Sequence, residues 1–215
     1  MADFPVIPER MALVNVDMQN CFVESAADGY AVLERINRLA AVCRDAGVLV
    51  IHARHVLRPD KSNVGVLGEI FPWESLAKIL LDVERGALHQ GVVVDPRDLL
   101  LEKPRFGAFH ATDLEMMLRT RGVDTIMITG IQTNICCDTT AREAMAREFR
   151  VFFLSDGTGT SDDDGISAAE LQKATLYSMG TFAQVLTVDE MIEKIRYAAS
   201  AEKRVGEPDL RTQAV

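Results

Sequence analysis

The sequence predicts an α/β protein: a three-layer, doubly wound (Rossmann-like), mostly parallel six-stranded sheet with helices on both faces. Short apolar runs rich in β-branched residues alternate with segments of helical period, six times over. No composition break or internal repeat divides the 215 residues, and that length suits one two-sided sheet domain. Charged or turn-forming residues fall where the apolar runs stop, which is where parallel sheets bind their ligands.

The strands are read at 12–17, 48–54, 98–103, 124–129, 151–154 and 183–186. Between the first two, Val32, Leu33, Ile36, Leu39, Ala40 and Cys43 share one helical face, and Gly47 supplies a stop. The segment 56–91 is punctuated by Pro59, Gly65, Gly68 and Pro72, and only Trp73 to about Leu81 reads as helix. A loop of that length in a compact domain is usually functional. Helices follow from Thr112-Asp113 to Arg121, over about 134–148, over 164–179, and from Val188 to about Ala199. Residues 1–200 form the expected single domain, and 201–215 a polar C-terminal tail.

Composition narrows the function. Hydrophobic residues at 48% and charged residues at 26% are those of a soluble globular protein. A net charge of −9 argues against a nucleic-acid or anionic-membrane surface. No apolar run approaches the roughly 20 residues of a membrane span, and Met1-Ala2-Asp3-Phe4-Pro5 does not open a signal peptide. Four cysteines without framework spacing point to free thiols and a cytoplasmic location.

The most informative stretch is Thr129-Gly130-Ile131-Gln132-Thr133-Asn134-Ile135-Cys136-Cys137. It joins a buried strand to a helix, with Thr133 read as N-cap and Cys136 in the first turn. There the helix dipole and unpaired N–H groups favour a thiolate. Taken alone, a lone cysteine reads more readily as core packing. Asp17 and Lys103 stand at two other strand ends, and Pro104 holds Lys103 extended. Asp17 read alone is a turn cap, and Lys103 alone a solvated strand end. The three together can perform acyl transfer, with Asp17 as base, Lys103 as charge partner and Cys136 as nucleophile.

Three blocks carry a family resemblance: Val16-Asp17-Met18-Gln19-Asn20, Glu102-Lys103-Pro104-Arg105-Phe106-Gly107-Ala108-Phe109, and Gly130 to Cys136 continued by Thr139-Thr140-Ala141-Arg142-Glu143-Ala144. In that order and spacing, over roughly residues 10–190, the chain resembles the isochorismatase-like cysteine hydrolases. The region around Arg54 and Arg105-Phe106 resembles the N-carbamoylsarcosine amidase and biuret-type branch more than the nicotinamidases. The resemblance implies a catalytic triad of Asp17, Lys103 and Cys136 and a cis peptide between Ile131 and Gln132. It further implies an oxyanion hole from the N–H groups of Gln132 and Cys136, and a homo-oligomer, dimer or tetramer. The expected reaction is hydrolysis of a carbamoyl, ureido or simple amide C–N bond in a small molecule through a thioester. Vinyl ether hydrolysis of the isochorismatase type, or a non-catalytic binding or redox-sensing role, are the alternatives.

Substrate-binding candidates are Gln19, Phe22, Arg54, Arg105 and Phe109, with Phe106 beside Phe22 and Phe109 as an apolar wall and Arg58 a weaker cation. Arg54 meets either a substrate carboxylate or carbonyl, or only a surface acid. Trp73 and Phe71 line the pocket or fill core. His52 reads as core and His55 as surface. In His52-Ala53-Arg54-His55 the aspartate of the Asp-x-His pair found in nicotinamidases is missing, so no metal, no cofactor and no nicotinamide substrate are expected. Cys137, Cys43 and Cys21 read as packing.

Overall fold

A computed structural model describes residues 3–206. Six strands form one parallel sheet: β1 (Met11–Val16), β2 (Leu49–His55), β3 (Leu99–Lys103), β4 (Thr125–Ile131), β5 (Arg150–Gly159) and β6 (Gln184–Leu186). Their order is β3-β2-β1-β4-β5-β6. The helices are α1 (Asn20–Val23), α2 (Gly29–Asp45), α3 (Leu67–Ile70), α4 (Trp73–Leu76), α5 (Leu114–Thr120), α6 (Asp138–Met145), α7 (Ala168–Met179) and α8 (Val188–Gly206).

Strand periodicity divides the core between two faces. Ala12, Val14 and Val16 of β1 join Ile126, Ile128 and Phe153 and pack on Leu114 and Leu118 of α5 and Ala141 and Ala144 of α6. Met11, Leu13, Met127 and Phe152 face the other way, onto Leu39, Ala40 and Cys43 of α2 and Met191, Ile192 and Ile195 of α8. The central strands are thus covered on both faces, as their unbroken apolar runs predict.

Several boundaries differ from the sequence reading. β5 continues to Gly159, because after a register shift at Ile128/Gly130 it pairs again with β4 through Thr158 and Gly159. The helix expected at 164 begins at Ala168, where Ser167 and Glu170 form a capping box. Within 56–91 the chain makes only α3, α4 and two short 3₁₀ turns, Ala77–Ile79 and Glu84–Gly86. These enclose a small core of Leu57, Val64, Leu67, Leu76 and Ile79 with Cys21. Of the polar tail placed at 201–215, residues 201–206 belong to α8, and 207–215 lie outside the described residues.

Candidate active site

The strand order reverses between β1 and β4, and the site is built there. β1 stops at Val16, and Asp17 takes φ +53°, a left-handed conformation that aspartate tolerates better than most residues. The turn is fixed by the Asp17 N–H donating to the Ala53 carbonyl at 2.7 Å. Gln19 secures the next step. Its Nε2 donates to the carbonyls of His55 (3.0 Å) and Gly86 (2.7 Å), and its Oε1 accepts the His55 N–H at 2.7 Å. Gln19 is buried and fully used in this clamp, so it is a positioning residue and not the substrate contact expected of it.

Lys103 reaches the same point from β3, two strands away. Neighbouring strands lie about 4.8 Å apart, so a long side chain is required to cross β2. Lys103 is entirely buried, and all three of its protons are placed. Nζ donates to Asp17 Oδ2 (2.7 Å), the Phe106 carbonyl (3.0 Å) and the Arg105 carbonyl (3.1 Å). Burial opposes its charge, but Asp17 and Cys136 outweigh that, and its pKa is raised. Asp17 is pushed up by burial despite Lys103 and the neighbouring Cys136 thiol, and its Oδ1 has no side-chain or backbone donor other than that thiol among the described residues.

Cys136 arrives on the turn after β4. Gly130 has φ +122°, and a Cβ there would meet the Val16 carbonyl oxygen at 1.9 Å, so only glycine lets β4 lie this close to the end of β1. The Ile131–Gln132 peptide is cis. Residues Thr133–Cys137 form a π-helical turn that leads into α6. Thr133 is therefore not the N-cap: it lies inside the turn, and its Oγ1 is buried without a partner among the described residues.

The thiolate expected of Cys136 is also corrected. Burial pushes the thiol up, and Asp17 opposes ionisation, while Lys103 and the Gln132 N–H favour it without reversing the balance. At rest the balance favours the neutral thiol. Thr140 locks the two halves together, its Oγ1 donating to the Cys136 carbonyl (2.7 Å) and accepting the Ala108 N–H (3.1 Å).

Cys136 opens onto a cavity of about 310 Å³. Its walls are mostly apolar, with Phe22, Phe71, Phe106, Leu76, Ile79 and Ile135, and Lys78 and Arg85 supply its charge. Of the predicted contacts, Phe22 and Phe106 line this cavity. Arg54 does not; it pairs with Glu102 at 2.5 Å, its register partner on β3. Arg105 turns to the carbonyls of Pro104 (2.6 Å) and Asn63 (2.8 Å), away from the wall. Phe109 is core, tilted on Phe149 at 5.7 Å, and Arg58 is exposed. Trp73 carries Lys61 over its ring at 3.9 Å and lies off the cavity, which Phe71 lines.

His55 is buried, not on the surface: it lines the cavity edge-on to Phe106, and burial lowers its pKa to about 3. Cys137 is core, as read. Cys21 lines the cavity as well as packing. Lys78 and Arg85 carry no motif, and only their place in the long irregular segment hinted at them; Cys21 directly follows the Val16–Asn20 block.

Behind the site a buried polar chain crosses the sheet. Thr129 Oγ1 donates to Asn15 Oδ1 (2.6 Å), Asn15 Nδ2 donates to His52 Nδ1 (3.3 Å), and His52 Nε2 donates to Asp98 Oδ2 (3.0 Å). Asp98 in turn holds Arg44 of α2 at 2.6 Å. Burial keeps His52 neutral, which suits one donor and one acceptor nitrogen. Among the described residues no cluster of three His, Cys, Asp or Glu side chains could hold a metal ion.

A parallel doubly wound sheet with aspartate, lysine and cysteine gathered at its switch point defines a class, a doubly wound α/β protein with a candidate site for acyl transfer at the carboxyl ends of its strands. The chain belongs to the isochorismatase family, whose Isochorismatase domain matches residues 11–190. It is 35% identical to nicotinamidase 3 of Arabidopsis thaliana over 84% of this chain and 86% of that protein. It is 28% identical to the ureidoacrylate amidohydrolase RutB of Methylorubrum extorquens, over 86% and 89%. Among solved structures, a cysteine hydrolase from Pseudomonas syringae pv. phaseolicola superposes with a TM-score of 0.87 at 31% identity, over 91% of this chain and 97% of that one.

Proposed function

We propose that this protein is a cysteine-dependent amidohydrolase that cleaves a C–N bond of a small carbamoyl, ureido or simple amide compound. The observation that carries this reading is the buried Cys136 thiol, which opens onto the cavity beside the Asp17 carboxyl that Lys103 holds. Asp17 takes the proton of Cys136, and the sulfur attacks the amide carbon to form a C–S bond. The N–H groups of Gln132 and Cys136 receive the oxyanion. As it collapses the C–N bond breaks, and the proton held by Asp17 leaves on ammonia or an amine. Water then gives a proton to Asp17 and attacks the thioester; the acid departs and the thiol is restored. Lys103 keeps Asp17 aimed and offsets its charge throughout.

The names of the relatives support amide chemistry, and the cavity volume limits the substrate to a small molecule. A panel of small amides and ureas, including nicotinamide and ureidoacrylate, followed by ammonia release, tests it. Cys136→Ala is expected to cut turnover by about 10⁴-fold or more with unchanged circular dichroism. Mass spectrometry is expected to find an acyl adduct on Cys136. Turnover without an adduct, retained in Cys136→Ala, would sink the scheme and point to another nucleophile. We also propose that the protein self-associates as a dimer or tetramer; sedimentation at the mass of one 23.7 kDa chain would overturn that.

A further inference from the structure

The cavity wall has an electrostatic asymmetry. The chain carries a net charge of −9, yet the charged side chains on this wall are Lys78 and Arg85, and among the described residues no acid lines it. Both stand exposed at the mouth, and Cys136 is only 6% exposed at the floor. Lys78 has no ion-pair partner among the described residues. Arg85 has Glu24 at 3.5 Å, with both side chains about half exposed, a weak contact that a ligand can displace.

Both cations sit on turns anchored to the segments that follow β1 and β2. The carbonyl of Gly86, next to Arg85, is held by the Gln19 clamp at 2.7 Å. Beside Lys78, the Ile79 carbonyl accepts the Leu57 N–H at 2.9 Å. Cys21 lies between floor and mouth: burial raises its thiol to about 11, and it feels Arg85, Asp17 and Lys78 together. Between the two ends the wall is apolar, through Phe22, Phe106, Leu76 and Ile79.

Resting on the amidohydrolase reading, we propose that the substrate is an amide carrying a carboxylate, with its reacting carbon at Cys136, a short apolar body along the phenylalanines, and the carboxylate on Arg85 and Lys78. Arginine and lysine here are specificity residues, and neither touches the reacting atoms. Such a cationic mouth also draws anions in along its field.

Two measurements test this. The first needs no turnover: alkylation of Cys136 by iodoacetate and by iodoacetamide, a charged and a neutral probe of the same thiol, assigned by mass spectrometry. The ratio of the two rates is expected to fall about threefold in Lys78→Gln or Arg85→Gln and about tenfold in the double variant, with a parallel fall in 0.5 M salt. The second compares kcat/KM for pairs of amides that differ only in a carboxylate or a neutral isostere. The double variant is expected to lose about tenfold of the preference for the acid, through KM. If both ratios are unchanged in the variants, the proposal fails while amide hydrolysis stands. Should no amide be hydrolysed and Cys136 take no acyl group while the alkylation ratio still shifts, the reaction assigned above fails and the anion site stands.

Discussion

Two charges are buried together in the site, and the balance between them decides both stability and chemistry. Lys103 and Asp17 are each fully covered, so removing one strands the other. Lys103→Met is expected to cost about 3–5 kcal/mol of unfolding free energy. Adding Asp17→Asn should return part of that loss, since the remaining group is neutral; urea denaturation of both variants checks this. The same burial sets the working pH. In the proposed mechanism Asp17 acts in its ionised form, and its pKa lies above the ordinary 3.8. The acid limb of kcat/KM should therefore fall at a higher pH than an exposed carboxylate would give. Lys103, raised above 10.5, stays charged across the neutral range and adds no alkaline loss there.

At the scale of elements, the β4–turn–α6 unit governs the site. Gly130→Ala would place a methyl 1.9 Å from the Val16 oxygen, at a φ that alanine resists. It is expected to destabilise the fold by about 3 kcal/mol or more and to displace Asp17, lowering kcat beyond what stability explains; paired thermal melts and rate measurements check it.

This unit also marks what the sequence could tell. The apolar runs located all six strands: burial on both faces marks the central ones plainly, the edge strands β3 and β6 are short apolar runs only partly buried, and strand ends then drew attention to Asp17, Lys103 and Cys136. Strand lengths were less legible: β5 runs on to Gly159 through pairing with β4 that no local pattern announces. The cap at Thr133 failed because the chain enters α6 through a π turn, where no side-chain cap is made. Arg54, Arg105 and Phe109 adjoin the right strands, but a side chain's direction depends on its cross-strand partner, Glu102 for Arg54. Lys78 and Arg85 reach the mouth only because a long irregular segment folds back over the sheet edge, and periodicity says nothing of that.

For the molecule as a whole, burying neutral histidines ties stability to pH. His52 and His55 have pKa values below 6.5 in the fold, so the unfolded chain binds protons that the folded chain does not. Their contribution is complete above about pH 6.5 and declines as pH falls towards their folded values. Each histidine adds a slope of up to about 1.4 kcal/mol per pH unit. Asp17, with a raised pKa, works in the opposite sense in the region above 3.8. Denaturant titrations between pH 7.5 and 5 are expected to show the net decline, and His55→Gln should remove one histidine's share of the slope.

The polar chain from Thr129 through Asn15 and His52 to Asp98 has a consequence for how such a sequence can change over generations. Each member answers a neighbour's donor or acceptor inside the sheet. Replacing any one by an apolar residue orphans the next, at about 1–3 kcal/mol, whereas replacing adjoining members together by matched apolar residues can be nearly neutral. Mutational routes across this part of the sheet are therefore rugged: the first step is penalised and the second relieves it. The four side chains therefore constrain one another, and they run directly behind the candidate site.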